Sequence, residues 1–257
     1  MAAIAARTAA SGELRRSPDG NYVLPTEVGT ALGGYIDALS DPGKARALLR
    51  PLAWSRGAGL PWGTLWSRLA TALANTGDER GTSFGDQDVR SLLDEAGDIV
   101  VESAESGQPV YRLFHEALAE HLRGGTDAST AHDAMAQAML KLREGRPWRQ
   151  LERYVLANLP AHLLLADRYD DLVDVLLDPA WDRTRREESG DPLANVGIVD
   201  AAMERLLTRS PTDLRVVPIC VAHSRTMTTA APLILDVFAR SGQLARAELM
   251  ANNLTYA

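Results

Sequence analysis

The sequence is poor in the groups that build the commoner functional sites. Its 257 residues include one cysteine, Cys220. No internal disulfide or cysteine-rich metal site can form, which suits a reducing cytoplasm. Cys220 lies in the apolar run 216–221, so a buried, inert thiol is expected. Aromatic residues make up only 5% of the chain. A core must therefore come from Leu, Ala and Val, and the good helix formers among them point to a mainly helical protein. No run of about 18 apolar residues is present, so no membrane span is expected. The Ala-rich start, residues 1–10, is too weakly apolar for a secretory leader. Positive charge is also outnumbered, with 27 Lys and Arg against 34 Asp and Glu. The net charge of −7 disfavours broad binding to nucleic acid or to an anionic membrane.

The chemical motifs are missing as well. There is no Gly-x-x-x-x-Gly-Lys-Ser/Thr phosphate loop and no Gly-x-Ser-x-Gly elbow. His115-Glu116 with His121 resembles half of a zinc-protease motif. The second ligand position, however, is Ala119, and two His six residues apart point about 120° away from each other on a helix. His132, His162 and His223 show no ligand spacing. No metal and no catalytic residue is expected.

The sequence does carry repeated amphipathic helices. Val28, Leu32, Tyr35, Ile36 and Leu39 recur at helical spacing, with Pro25-Thr26 at the start and 40–43 at the end. Residues 45–55 repeat the pattern, with Pro51 expected to kink or shorten the helix. A loop at 57–61 is followed by a helix at 62–74 and a polar loop at 75–85. Asp86 to Ala96 places Val89, Leu92 and Leu93 on one side, and Gly97 is the expected stop. Two short apolar runs, 99–102 and 110–114, flank Glu105-Ser106-Gly107-Gln108, which is a hairpin signal. From His115 the pattern is helical again, with Leu118 and Leu122 four apart. Helix, hairpin, helix is the pattern of a winged helix.

Gly124-Gly125 marks the expected domain boundary, and beyond it the chain reads as helix pairs. Helices are expected at 130–144, 148–158, 160–168 and 170–177. A charged loop is expected at 182–190, then helices after Asp191-Pro192, at 232–240 and at 243–254. Short loops and similar helix lengths suggest an irregular solenoid-like array. The end at Ala257 lacks an obvious capping helix, which suggests truncation. Trp62, Trp66, Trp148 and Trp181 read as core or inter-helix packing. Arg183, Arg185 and Arg186 stand beside Glu187 and Glu188 and read as a solvated loop.

His115, Leu118, Glu120 and Leu122 form the pattern His-x-x-apolar-x-Glu-x-Leu directly after the hairpin. Together with Ala53, the 59–62 segment and Ala96-Gly97, they resemble the winged-helix segment of actinobacterial STAND-type signalling ATPases, the NACHT and NB-ARC group. The resemblance spans residues 24–180. It implies a lid-like lead-in at 1–43, a winged-helix domain at 44–124 and a helical connector at 125–257. The family's phosphate-binding core would lie upstream of Met1. The chain would then be a non-catalytic, cytoplasmic regulatory part that takes no cofactor alone. It would meet ATP or ADP only in a full-length parent, where the resemblance gives His115 a contact to the nucleotide phosphates. From its residues alone, a His at a strand-to-helix junction is a structural hydrogen-bonding group. The implied partners are proteins or an NTPase core, with no nucleic acid and no membrane. Two alternatives remain: a stand-alone helical adaptor for a protein partner, and a winged-helix transcription regulator. The second is disfavoured by Asp86, Asp88, Asp94 and Glu95 against Arg90 alone on the would-be recognition helix.

Overall fold

A computed structural model describes residues 28–76 and 81–240, with a few positions between 242 and 248. The start expected at Pro25-Thr26 and most of the expected helix at 243–254 lie outside the described residues. The fold is mainly helical, with one small antiparallel sheet. The chain divides into two compact units, Met1–Glu144 and Gly145–Ala257.

The first unit runs α1 (Val28–Asp37), α2 (Pro42–Trp54), β1 (Leu60–Pro61), α3 (Thr64–Ala74), α4 (Asp86–Ala96), β2 (Val100–Glu105), β3 (Gln108–Leu113), α5 (Glu116–Arg123) and α6 (Ala128–Arg143). Asp41 caps α2 by accepting the Lys44 N–H at 3.0 Å, and Pro42 occupies the first turn, where no donor is needed. Pro51 costs α2 one hydrogen bond, yet the helix continues to Trp54. The Trp66 indole N–H on α3 donates to the Leu48 carbonyl on α2 at 2.7 Å. Around this link Leu49, Leu65, Leu69, Leu73, Ile99 and Leu118 are all fully buried. Each such side chain contributes roughly 1.5–3 kcal/mol by leaving water.

The sheet order is β1-β3-β2, all antiparallel. Ser106 and Gly107 both have positive φ, 52° and 81°, the geometry of a type I′ turn. The turn pairs Glu105 with Gln108 and sets the register back to Val100 opposite Leu113. Pro109 falls opposite Ala104, a non-hydrogen-bonded pair where β2 asks no donor of it. Phe114 N–H donates to the Ile99 carbonyl at 3.1 Å and extends the ladder by one pair. β1, in a stretch expected to be a loop, is a two-residue strand. Gly59 makes it possible: its φ is +131°, and a Cβ there would come within 2.3 Å of the Tyr111 carbonyl oxygen. α4 ends at Gly97, as expected, but without the left-handed turn of a glycine cap. The Gly97 φ is −56°, and the chain continues through a short 3₁₀ turn, Gly97–Ile99, into β2.

Gly124-Gly125 falls inside the first unit, because α6 packs against α3 and the division comes after Glu144. Asp127 caps α6 by accepting the Thr130 N–H at 2.9 Å.

The second unit contains α7 (Arg153–Leu165), α8 (Tyr169–Leu177), α9 (Pro179–Ser189), α10 (Val196–Arg209) and α11 (Val216–Arg240). Trp148 begins a 3₁₀ turn rather than the expected helix, and α7 runs through Pro160 where two elements were expected. The charged segment 182–190 is not a loop. Asp178 accepts the Ala180 N–H at 2.8 Å, Pro179 opens the first turn, and α9 continues to Ser189. Asp191-Pro192 lies in a turn ahead of α10, which starts at Val196. α11 passes through Pro232 as one helix. Cys220, expected to be buried, is exposed on α11.

Candidate functional site

His115 joins β3 to α5. Its backbone is extended (φ −143°, ψ 136°), and its Nδ1 accepts the Ala117 N–H at 3.0 Å. The imidazole is therefore the cap of α5, with Phe114 alongside at 5.7 Å between ring centroids. A ring that accepts at Nδ1 carries its neutral-state proton on Nε2. His115 is exposed, so this N–H donor faces outward at a helix N-terminus, beside other N–H groups and the positive end of the dipole. Glu116 next to it pairs with Arg123, Oε1 to NH1 at 2.6 Å.

His115 and His121 are not brought together by the fold. His121 lies against α1, where a Cβ on Gly33 would come within 2.9 Å of its ring. Among the described residues no group of three or more His, Cys, Asp or Glu could hold a metal ion. Of the Trp residues expected inside, Trp66, Trp148 and Trp181 are buried, whereas Trp62 is 36% exposed. Trp62 forms a surface cluster with Tyr111, at 6.4 Å, and Arg90, at 5.8 Å over its ring. Burial and the hydrogen bond to Glu102 push the Tyr111 hydroxyl above its ordinary pKa.

A second cluster had no sequence signature, since its members are far apart in the chain. Arg123 donates to the Ala53 carbonyl at 2.7 Å and stands 5.6 Å over the Trp54 ring. His132 meets the same ring edge-on at 5.4 Å. Burial, then the charges of Arg56 and Arg123, lowers His132 to about 4, so it is neutral at pH 7.

Two cavities accompany these clusters. One, of about 850 Å³, lies between α3 and α6 and is lined by Ser67, Thr71, Asp86, Asp133 and Gln137 among others. Its polar groups hold one another: Ser67 donates to Asp86 at 2.9 Å and Gln137 to Asp133 at 2.6 Å, and Thr71 Oγ1 accepts the Phe84 N–H at 2.9 Å. The other, of about 530 Å³ in the second unit, is bordered by Asp167, Tyr169, Arg205 and Arg209. There Asp167 accepts from Tyr169 at 2.9 Å and pairs with Arg209 at 2.8 Å. His115 borders neither. The flagged Arg186 turns inward to the buried Asp182 at 2.6 Å.

No protein-family model, no curated protein and no solved structure matches the chain. No helix among the described residues is long and apolar enough to cross a membrane.

Proposed function

We propose that the chain is a non-catalytic regulatory part of a STAND-like signalling NTPase, with a winged-helix domain followed by an irregular helical connector. The element order α2-β1-α3-α4-β2-β3, closed by a sheet of order β1-β3-β2, supports the winged-helix reading. The observation that carries the functional reading is His115. It caps α5 through Nδ1 and leaves Nε2–H as an exposed donor at a helix N-terminus, the arrangement suited to a phosphate oxygen. In a parent with a nucleotide-binding core, His115 would read the nucleotide and hold the closed state. Alone, the chain has no phosphate-cradling loop and no Lys-Ser/Thr pair for Mg²⁺. Calorimetry with ATP and ADP on the isolated chain is expected to show no tight binding and no turnover. Micromolar binding with hydrolysis would overturn the reading.

A second reading, a helical adaptor for a protein partner, is favoured by one observation. Leu207, Leu214, Val217 and Val221, on α10, α11 and their link, are 45–82% exposed, and Val217 and Val221 lie one turn apart on one face of α11, the kind of exposed apolar surface used for docking. A winged-helix regulator that binds DNA is opposed by α4, whose exposed side chains include Asp94 and Glu95 against Arg90.

A further inference from the structure

β2 is an edge strand: it pairs with β3 on one side and with nothing on the other among the described residues. The register says which of its main-chain groups are open. The turn closes on the hydrogen-bonded pair Glu105–Gln108, so Ser103 and Val101 also bond to β3. Phe114 bonding to Ile99 confirms the parity. Glu102 and Ala104 therefore turn their N–H and C=O groups outward, whereas the Val100 N–H is held by the Gly97 carbonyl and only its C=O is open. The strand spans six residues and is half-buried to exposed. It contains no proline and no lysine, two of the usual guards of an edge. Its only charges are Glu102 and Glu105.

We infer that the outer edge of β2 docks an extended, basic segment of a protein partner, which joins the sheet as a fourth strand. Main-chain bonds to Glu102, Ala104 and the Val100 C=O give the affinity, and Glu102 and Glu105, on opposite faces of the strand, each select Arg or Lys on their own face of the added strand. The same acids oppose pairing with a second copy, because that would set like charges beside each other across two neighbouring strands. The inference is independent of the nucleotide role of His115.

The experiment uses the full chain and a synthetic peptide of alternating Arg and Val. Amide exchange is read residue by residue. Binding is expected to slow exchange at Glu102 and Ala104, while Val101, Ser103 and Glu105, already in the ladder, report that the hairpin stays folded. Ala104→Pro removes an outward donor without touching the β3 bonds and should weaken binding about tenfold. The double change Glu102→Lys with Glu105→Lys should reverse the preference toward an alternating Glu and Val peptide. Three outcomes overturn the inference: no protection of the Glu102 and Ala104 amides at millimolar peptide, equal binding of an alternating Arg and Pro peptide that cannot form a strand, and peptide-free protection that rises with protein concentration, which would point to a second copy.

Discussion

The two units close their cores by different means. Among the described residues of the first, the buried polar side chains are few: Ser67 and His132, with the Trp66 indole tied to the Leu48 carbonyl. In the second, His162, Asp182, Asn195 and Thr226 are all buried. Asp182 accepts from Asn195 at 2.8 Å and from Arg186 at 2.6 Å, and Tyr154 and His162 share a hydrogen bond at 3.0 Å. The first unit has a sheet, and strand register together with aliphatic packing fixes its arrangement. The second is helical, and helices with similar apolar faces can slide past one another. Buried polar pairs penalise such slips, because each mispaired group loses its partner.

The contrast is broken most strongly at Asp182. Asp182→Ala removes the carboxylate that accepts from Arg186 and Asn195, leaving Arg186 only the backbone carbonyl of residue 182, and should destabilise the second unit by about 3–5 kcal/mol. Amide exchange in α9 and α10 reads this, and a loss below about 1 kcal/mol would mean that the pair is ornamental.

In the first unit the corresponding weak point is His132, and pH reaches it without mutation. The unfolded chain takes a proton below pH 6.5, but the folded histidine only below about 4. Stability therefore falls as pH drops from 6.5 toward 4, and this contribution levels off below 4. The total is on the order of 3 kcal/mol. Denaturant titrations at several pH values measure the slope, and His132→Phe should flatten it; an unchanged slope in that variant would assign the effect to other groups.

The smallest effect belongs to the hairpin. Gly107 has φ +81°, so Gly107→Val should cost about 1–2 kcal/mol and appear as faster exchange at Val101 and Ser103. No change there would mean that the turn does not set the register.

The parts that the sequence made readable were those whose signals are local. Asp86 to Ala96 follows a polar loop and has an apolar side, and α4 has these bounds. Ser106-Gly107 is a turn pair with apolar flanks, and the strands meet there. α9 was hidden because its composition is charged, while its inward contact, Asp182 to Asn195, joins residues that no helical period relates. Pro160 and Pro232 read as breaks, yet α7 and α11 absorb them. β1 is two residues long and depends on Gly59 approaching Tyr111, a distant residue. Cys220 sits in an apolar run, but that run is one stretch of a helix with only some faces covered: Ile219 and Ala222 are buried, while Val217, Cys220 and Val221 are exposed. His115 stood out through its junction and the family-like pattern around it. Its capping bond, and with it the outward Nε2, needed coordinates.

That outward nitrogen is the centre of the functional account, and ADP release tests it most directly. In a parent chain with its nucleotide-binding core, His115→Leu removes the Nε2 donor and the cap on Ala117 together. Loss of one polar phosphate contact should weaken ADP by about 1–3 kcal/mol, or about 5- to 150-fold in off-rate. If ADP holds the closed state, signalling without a trigger should rise with it. His115→Asn separates the two roles, since Asn can still cap α5. The account predicts faster ADP dissociation in His115→Leu than in the wild type, measured side by side. Equal off-rates in a folded His115→Leu protein would contradict it and leave His115 as a helix cap alone.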